Sequence, residues 1–313
     1  MQENGIAMAL PFKECYERRV RWFHDHFAPA SESASTSAIH EMRVGLKRLR
    51  TFFNLVGSID PSFQAEGAFV PARKLFRAAG ELRNLHILEA RTREATAAAS
   101  LELSEYYNWL KERERGEVRR FRRACRKFDE GFFGSAWKDM DPILEGPART
   151  RAVKRAEDRL LALIREIKAE HSERSNVRQL HFLRTRAKEA RYVLEILQEC
   201  GLTADEGTRL NERLRDLHQS LGRWHDEEIA LASLREFRKN RTPGPLASFR
   251  SYIEFSRLAK ERKAESLAAF GAARAALMAF LGRGSGQRLL HPPSLRTQIQ
   301  GGSRDLGQSP KNS

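Results

Sequence analysis

Two stretches of this chain align on each other without gaps, 141 residues apart in a total of 313. "IHEMRVGLKRLRTFFNLV" (39–56) lies on "LHFLRTRAKEARYVLEIL" (180–197), which places His40, Arg43, Lys47 and Arg50 on His181, Arg184, Lys188 and Arg191. A helix advances about 100° per residue, so each set of four cationic positions gathers into an arc of about 80°. Met42, Leu46, Leu49, Phe53 and Val56 fall on the opposite side, as do Leu183, Ala187, Ala190, Leu194 and Leu197 in the second stretch. Each helix therefore has one face for a core and one face that is purely cationic. Like charges at three- and four-residue spacing oppose a helix unless an anion or a partner's carboxylates answer them. An anionic ligand or a partner helix's carboxylates would answer the stripes, whereas facing bulk water they would be an ordinary solvated surface.

The similarity extends beyond these helices. "AAGELRNLHILEA" matches "SLGRWHDEEIALA", pairing Gly80 with Gly222 and Arg83 with His225, and in the preceding helices Arg18 meets Arg159. Self-similarity of this kind reads as a duplicated unit. The expected fold is all-α, with two four-helix bundles packed about a pseudo-two-fold axis.

Apolar spacing predicts helices over 8–28, from an N-cap at Ser37 to about 56, over 67–99 with a possible break at Gly80, and over 102–128. The Gly- and Pro-bearing stretch 129–147 reads as a linker. Helices follow at 148–171, 177–200, 204–240 with an interruption near Gly222, and 246–281. This organisation makes 1–281 one helical domain, with repeats over 8–128 and 148–281. Residues 282–313, rich in Gly, Ser, Pro and Gln, are expected to be a disordered basic tail.

The formal charge is +15 and 43 of the 56 cationic side chains are Arg, whose planar fork suits phosphate oxygens. Such a balance favours a polyanion as partner. Arg115, Arg119, Arg122 and Arg126 make a further basic row, with Leu110, Phe121 and Phe128 opposite. Cys15, Cys125 and Cys200 are far apart in sequence with no C-x-x-C pair, which argues against a disulfide framework or zinc site and fits a reducing, cytoplasmic setting. The N-terminus lacks a signal-peptide core, and no uncharged apolar run reaches membrane-spanning length.

The succession "H-x-x-R-V-x-x-K-R-L-R", "G-x-L-R-N", "L-H-x-x-R-x-x-x-K-x-x-R-Y-x-L-E" and "L-G-x-x-H-D" resembles the CHAD family, the conserved-histidine α-helical domain. The resemblance runs to about residue 281. It implies two four-helix bundles around a basic central cavity or pore that binds inorganic polyphosphate, in several cases at polyphosphate granules or beside enzymes of polyphosphate metabolism. Carried over by residue, it implicates His40, Arg43, Lys47, Arg50, His181, Arg184, Lys188 and Arg191. Arg18, Arg83, Arg115, Arg119, Arg122, Arg126 and Arg159 are further candidates from the charge pattern. Glu189, and His225 opposite Arg83, depart from the pattern, so the second half is expected to hold fewer phosphates. Only a few residues precede the first helix, which implies a stand-alone binding module without catalytic residues or cofactor.

Other readings stay open. RNA or DNA explains the charge equally well, and "RRFRRACRKF" resembles a nucleic-acid patch, although its aromatics fall on the apolar face. A phosphotransfer histidine is at odds with two matched histidine helices and so many flanking cations, and a metal-dependent phosphohydrolase using "HDH" (24–26) or "HDEE" (225–228) has no second ligand set at recognisable spacing. A membrane-surface role is disfavoured because the apolar faces look sized for a core.

Overall fold

The computed structural model describes residues 11–170, 176–203, 205–239 and 246–282. Ten α-helices and a 3₁₀ turn at Gly146–Ala148 make up the described residues, and no strand occurs among them. The first half contains α1 (Phe12–Ser33), α2 (Thr36–Ile59), the short α3 (Ala65–Ala68), α4 (Val70–Ala99) and α5 (Ser104–Arg126). After α6 (Phe132–Leu144), the second half contains α7 (Arg149–Ala169), α8 (Val177–Glu199), α9 (Asp205–Lys239) and α10 (Leu246–Gly282). The four long helices of each half pack in the same order: α1 on α2, α2 on α4 and α4 on α5, then α7 on α8, α8 on α9 and α9 on α10. Helix α2 also touches α7 and α8 and so joins the halves.

The helix wheels locate the core. Met42, Leu46, Leu49, Phe53 and Val56 of α2 are 0% exposed, and so are Leu183, Ala187, Ala190, Leu194 and Leu197 of α8. They belong to one apolar cluster that runs through both halves, with Phe23, Phe133, Leu160 and Trp224. A smaller cluster ties Leu88, Tyr106 and Leu110 to Leu234 and Phe255, joining α4 and α5 to α9 and α10. Burial of a large apolar side chain contributes about 1.5–3 kcal/mol, so these faces dominate the choice of packing.

Four local expectations change. Helix α1 continues through "APASES" because Ala30 is buried, and the chain turns only at Ala34, with a left-handed φ of 50°. The cap of α2 is therefore Ser35, not Ser37: its Oγ accepts from the Ala38 N–H at 3.4 Å. The linker stretch holds α6, whose Phe133, Met140 and Leu144 are buried at helical spacing. That burial outweighs the nearby Gly and Pro residues. Neither Gly80 nor Gly222 interrupts its helix.

The predicted tail from residue 283 onward and the start of the first predicted helix lie outside the described residues, while Gly282 ends α10. Among those described, one helical segment, 249–282, is long and apolar enough to cross a membrane by composition, with mean hydropathy 1.3 over its best window. Its Phe270 and Leu277 pack in the main core.

Candidate functional site

The site begins with Arg43. Its Nη1 donates to the Phe76 carbonyl at 3.1 Å and its guanidinium lies 5.0 Å from the Phe76 ring centre, fixing it against α4. One helical turn further, Lys47 is half-buried, and its ammonium is pushed down to about 7, first by burial and then by Arg43, Lys188, Arg184 and Arg83. Lys188 on α8 is pushed down to about 8, first by burial and then by Arg184, Arg50 and Arg43, with Glu189 opposing. These mutual effects put cations of α2, α4 and α8 within one field. Burial also lowers the guanidinium pKa of Arg43, Arg83 and Arg184. Desolvation and like charge both disfavour the cationic form, so the cluster stores repulsion that a bound anion would relieve.

Groups of α9 lie within the same field. His218 is pushed down to about 3 by burial and then by Arg191, Arg184, Lys188 and Lys47. His225 is pushed down to about 4 by burial, Arg184 and His181. His181 meets Trp224 and His225 edge-on, with ring centres 5.1 and 5.0 Å away. Asp226 is an acid within the field: burial raises its carboxyl pKa, against Arg184, Arg91, Arg83 and Lys47. Buried Nε atoms of Arg184 and Arg191 and Nδ1 of His225 have no hydrogen-bond partner. Buried polar atoms left this way are costly unless a hydrogen-bonding partner reaches them.

The other candidates divide by their partners. His40 is exposed at the edge, 3.9 Å from Glu41, and its pKa is lowered by burial and then by Arg83. Arg50 pairs with Glu66 at 2.9 Å and Arg191 with Glu195 at 3.3 Å. Arg43 and Arg50 also line a cleft of about 390 Å³ with Arg73 and Arg77 of α4. Arg18 pairs with Glu14 on its own helix at 2.7 Å, and Arg159 is held by Glu189 and Glu166. Arg115, Arg119 and Arg126 are exposed along α5, and Arg122 donates to the Glu32 carbonyl at 3.2 Å. After burial, the charge effects on Lys47 and Lys188 come from α2, α4 and α8 and not from this row.

Sequence reasoning missed His218, and it considered Asp226 only within the motif "L-G-x-x-H-D" and as part of the metal-like "HDEE". His218 precedes His225 by seven residues on one helix, the spacing that puts two side chains on the same face. No group of three or more His, Cys, Asp or Glu residues among those described is placed to hold a metal ion. His26 Nδ1 is bonded to the Trp22 carbonyl, and His24 lies 4.0 Å from Glu130.

The arrangement suits a multivalent anion: forked guanidinium groups and ammonium groups from several helices, with imidazole donors beside them. The CHAD domain profile matches residues 15–235. The chain belongs to the CHAD domain family. The crystal structure of the CHAD domain from the plant Ricinus communis aligns with 91% of this chain and 96% of its own, at 19% identity and a TM-score of 0.62. PptA from Streptomyces chartreusis aligns with 84% of this chain and 97% of its own, at 15% identity and a TM-score of 0.58. No curated protein matches the chain. At these identities the structural likenesses establish a shared CHAD fold.

Proposed function

We propose that this CHAD protein binds inorganic polyphosphate without transforming it, in a basic central cavity between two duplicated four-helix bundles. The observation that supports the reading is that half-buried Lys47 feels Arg43 of its own helix, Arg83 of α4 and both Arg184 and Lys188 of α8. Polyphosphate presents closely spaced anionic oxygens and no bases, which matches a site rich in Arg forks and poor in stacking platforms. In this reading Arg43, Lys47, Arg184 and Lys188 hold the chain, His40 and His181 donate at its edges, and Arg50, Arg83 and Arg191 extend the track. Attachment to cytoplasmic polyphosphate granules follows as its cellular role.

The test is binding of long-chain polyphosphate to the wild type and to a variant with Arg43, Lys47, Arg184 and Lys188 replaced by Ala, across a salt series. The reading expects affinity to fall at least about ten-fold and the log–log salt slope to flatten by about 0.7–0.9 for each phosphate that the variant no longer neutralises. Equal affinity and slope in a folded variant would remove the site. Phosphate release, or a requirement for a divalent metal, would favour an enzyme instead.

A further inference from the structure

Cys15 and Cys200 are well separated in sequence, yet the fold brings their Sγ atoms to 2.7 Å. Both side chains are 0% exposed, and neither belongs to the basic site. Cys15 lies on α1, and Cys200 caps the C-terminal end of α8 just before Gly201 turns the chain with a φ of 67°. Beside them Arg19 reaches Glu199 through two contacts, Nε to Oε2 at 3.0 Å and Nη2 to Oε1 at 2.9 Å. Arg19 follows Cys15 by one helical turn and Glu199 immediately precedes Cys200, so the ion pair fixes the same two helix segments that carry the sulfurs. A disulfide bond spans about 2.05 Å, so little movement separates the present contact from a covalent one.

We propose that Cys15 and Cys200 are a disulfide site that staples α1 to the end of α8. The oxidant is a small-molecule disulfide. One cysteine thiolate attacks it, forming a mixed disulfide and expelling one small thiolate. The second cysteine thiolate then attacks the protein sulfur of that mixed disulfide and expels the other. The two protons leaving the cysteines end on the two small thiols, and the two electrons removed from the pair reduce the oxidant. The native interior resists the first step, because the Cys15 contact and burial hold the Cys200 thiol in its protonated form. The bond therefore forms only when the chain folds in the presence of the disulfide oxidant, and in a reducing cytoplasm the pair stays as two thiols.

The staple closes a separation of 185 residues and ties the half carrying His40 to the half carrying His181. Cross-linking so long a loop restricts the unfolded chain strongly.

The experiment refolds the full chain with oxidised glutathione, alkylates remaining thiols after unfolding, and maps linked peptides by mass spectrometry without reduction. The expected result is one linked pair, Cys15 with Cys200, and an alkylated Cys125. The thermal midpoint should rise by about 5 °C or more and return on reduction. Cys125→Ser should retain both the link and the rise, and Cys200→Ser should lose both. Alkylation of both Cys15 and Cys200, a link through Cys125, or a linked pair with no change in midpoint would each overturn the staple. The Cys125→Ser arm decides the matter even where Cys200→Ser fails to fold.

Discussion

The guanidinium of Arg43 lies against the bare α-carbon of Gly80: a Cβ there would stand 3.2 Å from Arg43 Cζ and closer still to Nη1. Gly80 thus gives this stripe residue its seat on α4. Gly80→Ala should displace the guanidinium, the movable end of a long side chain, while leaving the helix intact. The expected outcome is affinity for polyphosphate lowered about three- to ten-fold, with stability unchanged or higher, since Gly costs a helix about 1 kcal/mol relative to Ala. Gly222, the matched glycine, has no atom within 4 Å of its added Cβ. Gly222→Ala should stabilise the protein by about 1 kcal/mol and leave affinity unchanged. Paired titrations and thermal melts of the two variants check this contrast.

Lys47 carries opposite signs for folding and binding. Its pKa falls from 10.5 in the unfolded chain to about 7 in the fold. Between those values the unfolded chain holds more protons, so this group makes stability rise with pH from about 7 towards 10, and it adds no pH dependence below 7. Lys188 behaves alike from about 8. Thermal melts from pH 6.5 to 9 should show a gain in the wild type that is smaller in Lys47→Met/Lys188→Met. An identical gain in both proteins would contradict the assignment.

Binding runs the other way. A polyanion favours the ammonium form, so the ligand-free site takes up protons as it fills. Affinity should fall as pH rises above about 7, approaching a tenfold loss per pH unit for each proton taken up. Titrations in a weakly buffered solution read that uptake directly, and no pH change on mixing would count against it.

Arg18 and Arg19 are sequence neighbours with different fates. Arg18 meets Glu14 in solvent, whereas Arg19 is 3% exposed and forked onto Glu199 across the α1–α8 interface. Arg18→Ala should change stability by no more than about 0.5 kcal/mol. Glu199→Ala leaves a buried guanidinium without its partner and should cost about 3–5 kcal/mol. Denaturant unfolding of the two variants measures the difference.

The helix wheel of residues 39–56 was enough to divide α2 into a buried and a cationic face, because burial there follows the period of an isolated helix. The cap at Ser35 and the helix at Phe132–Leu144 were not legible. Both depend on tertiary burial, of Ala30 in one case and of Phe133 and Met140 in the other, which overrides local Pro and Gly signals. The same limit applied to the site. Spacing placed Lys47 and Lys188 on two stripes, but only the packing of α2 on α8 puts them in one field. His218 was missed, and Asp226 was not read as part of the basic site, because each is ordinary in its own helix and becomes informative only beside Arg184. Separation along the chain likewise concealed the meeting of Cys15 and Cys200.

The most direct measurement is a competition titration at physiological salt, with labelled long-chain polyphosphate bound to the wild type and challenged by RNA, DNA and short phosphates at equal phosphate concentration. Selective polyphosphate binding predicts that unlabelled long chains displace the label while RNA and DNA fail at the same concentration. Displacement by RNA as effective as by polyphosphate would contradict it and make the converging stripes a general polyanion surface on a CHAD fold.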